Sequence, residues 1–143
     1  MRTRSQDEGS ILVLSLGFIV ICILALAVVV DASTVFLAKR ALQSQADGAA
    51  LAGAQAIDLR AYYANGADAR IRLDPGGVRS AVERHVRRDP GEGRLTGVSI
   101  RDDVVVVAMT DRVRPPFSGW LTPSGAYDLE VEAGAVLSYR PAG

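Results

Sequence analysis

The chain has 143 residues, with 16 Lys and Arg, 16 Asp and Glu, and a formal net charge of zero. That balance, with no run of roughly five or six like charges, argues against the dense basic surface of a nucleic-acid-binding protein. The single cysteine, Cys22, lies in an apolar segment, so the polar part has neither a disulfide framework nor a thiolate metal site.

Ser5-Gln6-Asp7-Glu8 has the spacing of a helix capping box. From Ile11 to Val30 twenty residues follow without a charged side chain. A helix of that length, rising about 1.5 Å per residue, covers the roughly 30 Å hydrocarbon core of a bilayer. The expected reading is a permanent transmembrane helix over residues 11–30 behind a tail of residues 1–10. A cleaved signal peptide is the rival, with Ala25-Leu26-Ala27 as its small-residue site. The apolar run continues past that point through Val28, Val29 and Val30. A buried core helix is the third reading. Arg2 and Arg4 before the span balance Lys39 and Arg40 after it, and the terminal amine tips the count toward a cytoplasmic N-terminus.

Asp31 marks the membrane boundary, or else bonds to a neighbouring subunit's basic group or terminal amine. Residues 31–65 read as an extramembrane continuation of the same helix. Asp31 to Asp58 holds nine alanines and no proline, and alanine is the best helix former. The spacing predicts one helix from about Gln6 to about Tyr63, stopped at Asn65-Gly66. A stripe of mostly small residues, Val35, Ala38, Leu42, Ala46, Ala49, Gly53 and Ala56, with Ile57 beside it, runs along it. Such a stripe serves either a core helix lying tightly under its own sheet or helix packing between subunits.

Residues 66–143 read as a small α+β outer domain. Asp74-Pro75-Gly76-Gly77 is a turn. Gly77 to Arg88 is then a short helix on the periodicity of Val78, Ala81, Val82 and Val86, with Glu83 and Arg87 paired four apart. Leu95–Ile100 and Val104–Met109 form a hairpin through Arg101-Asp102-Asp103. The unbroken apolar run of the second predicts a central strand covered on both faces. From Tyr127 to Tyr139 alternate residues are apolar, predicting a half-buried strand. The fold class expected is α+β: a long N-terminal transmembrane helix, packed beyond the membrane on a small antiparallel sheet with a short second helix, as in pseudopilins. Phe117 and Trp120, in the Pro115–Pro123 connection, serve core or loop packing, or else contact with membrane or partner.

Little points to catalysis. His85, the one histidine, falls off the apolar stripe of its helix and reads as solvent-facing. No G-x-S-x-G elbow frames a serine. In Gly91-Glu92-Gly93-Arg94-Leu95-Thr96-Gly97 the third glycine comes one residue too late for a dinucleotide fingerprint. Asp102-Asp103 is a turn rather than a cation site. Neither an enzyme nor a cofactor or metal is expected.

Glu8-Gly9-Ser10, the apolar span, Asp31, and the run Gln43-Ser44-Gln45-Ala46-Asp47-Gly48-Ala49-Ala50-Leu51-Ala52-Gly53 together resemble the N-terminal signature of TadE/TadG-like proteins of the Flp, or tight adherence, pilus system. The resemblance covers about residues 8–58. It implies a membrane-anchored minor pilin or assembly component, with its N-terminus inside, its domain outside and no catalytic role. It offers Gly9-Ser10 as a candidate prepilin-peptidase cut. The implied partners are the membrane, other pilus or pseudopilin subunits, assembly-platform proteins and that peptidase, in an oligomer formed through the long helix. Leu14 stands where pilins carry a glutamate, which leans toward the TadG-like branch. The rival functions are an envelope-tethered binding module, a secreted small domain, and a small hydrolase using His85.

Overall fold

The computed structural model describes residues 4–56, 74–89, 91–102, 104–119 and 123–136, with side chains from residue 9 onward. Helix α1 runs without a break over Arg4–Ala54, 51 residues, as an alanine-rich stretch free of proline should. It is already helical at Arg4, so Ser5 is not its N-cap. It also ends short of Tyr63. Gln55 is a turn residue, and the Ala56 N–H bonds to the Gly53 carbonyl at 3.0 Å, a tightening common where helices end. The expected stop at Asn65-Gly66, with Ile57 and Trp120, lies outside the described residues.

The chain divides into two compact units, Met1–Phe36 with Arg114–Tyr127, and Leu37–Val113 with Asp128–Gly143. In the first, the helix carries exposed apolar side chains from Ile11 to Val30. Just beyond, the Ser33 and Thr34 hydroxyls donate to the Val29 and Val30 carbonyls at 2.7 and 2.9 Å, back-bonds that satisfy both side chains within the helix.

The second unit holds the core. Helix α2 spans Pro75–Arg88, and the strands are β1 (Arg94–Arg101), β2 (Val104–Val113) and β3 (Tyr127–Val136), in sheet order β1-β2-β3. The sheet is antiparallel. β1 pairs with β2 from Arg94↔Thr110 to Arg101↔Val104, with a bulge between Leu95 and Gly97. Asp102 turns the hairpin with a φ of 48°, a left-handed conformation that aspartate tolerates.

The expected Asp74–Gly77 turn is the start of α2. Asp74 is the N-cap, Pro75 sits in the first turn, and the Asp74 carboxylate accepts the Gly76 and Gly77 N–H groups at 3.1 and 2.9 Å. Proline is favoured there because its missing N–H costs nothing. Glu83 pairs with Arg79, one turn before it, at 3.2 Å, and not with Arg87.

The core joins Leu42, Ala46, Ala49, Ala50 and Ala54 of α1 to Val78 and Val82 of α2, to Val105, Val107 and Met109 of β2, and to Val131 and Ala133 of β3. Met109 and those four Val side chains on α2 and β2 have no exposed surface. Each contributes about 1.5–3 kcal/mol relative to exposure. β2 is central, but it is not covered equally on both faces. Val105, Val107 and Met109 are buried, whereas Val104, Val106 and Ala108 are half-buried, because the helical residues of the core cover one face. β3 alternates as its sequence requires from Leu129 to Ala135, while Tyr127 at its start is exposed.

Candidate functional site

The exposed apolar span is the first surface to explain. Its large side chains from Ile11 to Val30 present an unbroken apolar exterior, with Leu14 75% exposed. Soluble monomers do not leave so much apolar surface to water. Gly9 and Ser10 are exposed within helix α1, and no side chain lies within 4 Å of the place a Gly9 Cβ would take.

Asp31 is the second feature. One residue beyond the span, it is only 7% exposed. Its carboxylate accepts the Phe117 N–H at 2.9 Å and the Ser118 N–H on its other oxygen. Burial pushes the carboxyl pKa up, but the Ser118 side chain and the two backbone donors outweigh it and hold it below the ordinary carboxylate value. The charge is thus satisfied by the chain's own loop. Sequence reasoning could not find these partners, because backbone N–H groups carry no residue signature.

The small-residue stripe comes third. Leu42, Ala46, Ala49 and Gly53 are buried in the unit's own core, and Val35, Ala38 and Ala56 are half-buried. Of the two readings of this stripe, the tight core helix describes Leu42 to Gly53. A Cβ at Gly53 would stand 2.9 Å from Val82 Cγ2 and 3.0 Å from Val105 Cγ1. On its flank the Gln43 amide donates to Asp47 at 3.1 Å and to the Glu132 carbonyl at 3.4 Å.

Two further contacts explain residues that first looked chemical. His85 is half-buried, not solvent-facing. Its Nε2 lies 2.9 Å from where a Gly48 Cβ would be, so the imidazole fills the notch left by that glycine. The glycine-rich Gly91-Glu92-Gly93 stretch closes over Gln45. Cβ atoms at Gly91 and Gly93 would come within 2.6 and 2.4 Å of its amide. The Gln45 Nε2 is buried and has no hydrogen-bond partner among the described residues.

The second unit also carries a polar cleft of about 480 Å³ lined by Glu92, Arg94, Thr110, Asp111, Arg112 and Asp128. Arg112 Nε bonds Asp128 at 2.8 Å, which raises the guanidinium pKa further, and the Thr110 hydroxyl donates to the Leu129 carbonyl at 2.8 Å. Both ion-pair partners are mostly exposed, so the pair adds little stability. Among the described residues no group of three or more His, Cys, Asp or Glu converges on a metal position.

Residues 9–56 match the family model described as Tad, putative Flp pilus-assembly TadE/G-like. This part of the chain is similar to the TadE/G-like pilus-assembly family. The match takes in about a third of the chain and coincides with α1 from its exposed span to its last turn. Neither a curated protein nor a solved structure matches the chain. Seen on the structure, the TadE/G-like stretch combines three devices. They are an apolar exterior long enough to cross a membrane, an Asp that receives loop amides, and a Gln-to-Gly run that lies under the second unit's sheet.

Proposed function

We propose that this chain is a single-pass, non-enzymatic component of a Flp/Tad-type pilus assembly or a related secretion apparatus. Residues 1–10 form a cytoplasmic tail or leader, 11–30 the membrane span and 31–54 its helical extramembrane continuation, and an extracytoplasmic domain follows. The observation carrying this reading is the TadE/G-like match over residues 9–56, on a helix whose apolar exterior has no cover among the described residues.

The protein works by packing. The membrane segment contacts lipid and neighbouring apolar helices, with Gly17 as a point of close approach where no side chain intervenes. Beyond it, the face left to other subunits is the one carrying the exposed Leu37 and Leu51, because Leu42 to Gly53 serve the domain's own core. The partners are other pilus or pseudopilin subunits and assembly-platform proteins, with the polar cleft on the outer domain as a recognition surface. The Gly9-Ser10 bond is the processing site for a prepilin peptidase. Its exposure supports access, and cleavage requires the first turns of α1 to unwind.

The test is the mature N-terminus of the membrane-extracted protein, together with the phenotype of a deletion strain. Ser10 as first residue means prepilin processing and Met1 an uncut anchor; Val28 would mean a secreted domain and overturn the reading. Normal piliation in the deletion strain would overturn it equally.

A further inference from the structure

The segment after β2 combines features that a soluble loop rarely shows together. Pro115 is buried, yet Phe117, two residues on, is 52% exposed, and Arg114 and Pro116 are exposed as well. The backbone at this exposed Phe is held firmly, by the Asp31 carboxylate at the Phe117 and Ser118 N–H groups. Charge-assisted bonds of this kind are among the stronger hydrogen bonds. Asp31 directly follows the last residue of the apolar span, and a helix advances about 1.5 Å per residue. The Phe117 amide is therefore fixed at the depth where the apolar exterior ends.

We propose that the Arg114–Gly119 segment is an interfacial membrane contact: Asp31 fixes its backbone at the end of the span so that the Phe117 ring enters the headgroup–acyl boundary of a phospholipid bilayer, with the Arg114 guanidinium among the phosphates. The inference rests on the membrane-anchor reading above and deepens it. The occupant is lipid because this exposed ring belongs to the same compact unit as an apolar exterior that already requires lipid, and its backbone is tied to the residue at which that exterior ends. Apolar side chains at such a boundary bury about 5–10 Å into it while neighbouring basic residues stay with the headgroups. Asp31 then has a positioning role. It aims an aromatic residue at the bilayer and keeps its own charge off the lipid.

The full chain in phosphatidylcholine–phosphatidylglycerol vesicles tests this. Trp120 is the one tryptophan, so Trp120→Phe with Phe117→Trp gives a single reporter, and Trp120→Phe with Ile19→Trp gives a reporter within the span. The expected result is blue-shifted emission from position 117, quenched by lipids brominated high on the acyl chain and shielded from aqueous acrylamide. Adding Asp31→Ala should remove that quenching at 117 and leave it at 19. A water-exposed signal at 117 beside a lipid-quenched signal at 19 overturns this inference alone. Absence of lipid quenching at 19 overturns the membrane anchor and this inference with it. Lipid quenching at 117 that survives Asp31→Ala overturns the positioning role of Asp31.

Discussion

The Asp31 carboxylate and the Phe117 backbone N–H, 86 positions apart in sequence, meet at 2.9 Å. A helix residue whose polar group faces a covering loop must be satisfied by that loop, because a buried charge without donors is strongly disfavoured.

This contact sets a pH dependence. The Asp31 carboxyl is held below its ordinary value in the folded state, so its ionised form favours the native contact. The stabilisation is fully present above the unfolded-state pKa of about 3.9 and is lost as pH falls through the lowered native value. The Phe117 and Ser118 amide resonances should therefore stay unchanged from neutral pH to about pH 5 and shift only below about pH 4. A transition near neutrality would contradict the assignment. Asp31→Ala, which leaves no acceptor, should release both amides at every pH, as loss of hydrogen-exchange protection.

Gly53 permits a close approach of α1 to α2 and β2. Alanine there gains about 1 kcal/mol of helix propensity, but its Cβ would meet Val82 and Val105 side chains that have no free space. Overpacking of this kind costs about 1–3 kcal/mol. Gly53→Ala should be net destabilising in urea titration of the detergent-solubilised protein, and Gly53→Leu should abolish folding of the second unit. Leucines at Ala46, Ala49 and Gly53 would for the same reason report on folding, not on assembly.

Gln45 and Gly91 should be coupled. The three atoms nearest to a Cβ at Gly91 would all belong to the Gln45 amide, at 2.6 to 2.7 Å. Gly91→Ala should therefore destabilise the wild-type background more than a Gln45→Ala background, with an interaction energy of about 0.5–3 kcal/mol in a double-mutant cycle. Because the buried Gln45 Nε2 has no partner among the described residues, Gln45→Met should raise stability by about 1 kcal/mol by removing that polar group.

Asp74 caps α2 through the Gly76 and Gly77 amides. Asp74→Ala should cost about 1 kcal/mol. Asp74→Asn or Asp74→Ser, which keep an acceptor, should recover most of it. Circular dichroism on denaturant titration would measure the difference.

Much of the fold was legible. The long helix follows from alanine content and the absence of proline, and the third strand follows from the alternation of apolar residues with Asp128, Glu130 and Glu132. Both are local properties, and local propensity acts over a window the chain itself displays. The Asp74–Gly77 segment misleads as a turn because Asp-Pro-Gly serves equally as an N-cap followed by a first helical turn; what separates them is the helix that follows. The valine run of β2 misleads about coverage, since apolar content alone does not report which face the helices take. Glu83 has basic residues four positions away on both sides, and sequence alone cannot choose between them.

The sequence by itself determined that an apolar helix begins the chain, that it continues as an alanine-rich helix past a carboxylate, and that an α+β unit with neither thiols nor a catalytic motif follows. These are consequences of composition and period. Only the tertiary structure decided that Leu42 to Gly53 face the chain's own sheet, that His85 and Gln45 fill notches beneath glycines, and that Asp31 is met by the amides of Phe117 and Ser118. Those outcomes depend on which distant segments come together, and backbone amides and the space left by glycines have no sequence pattern of their own.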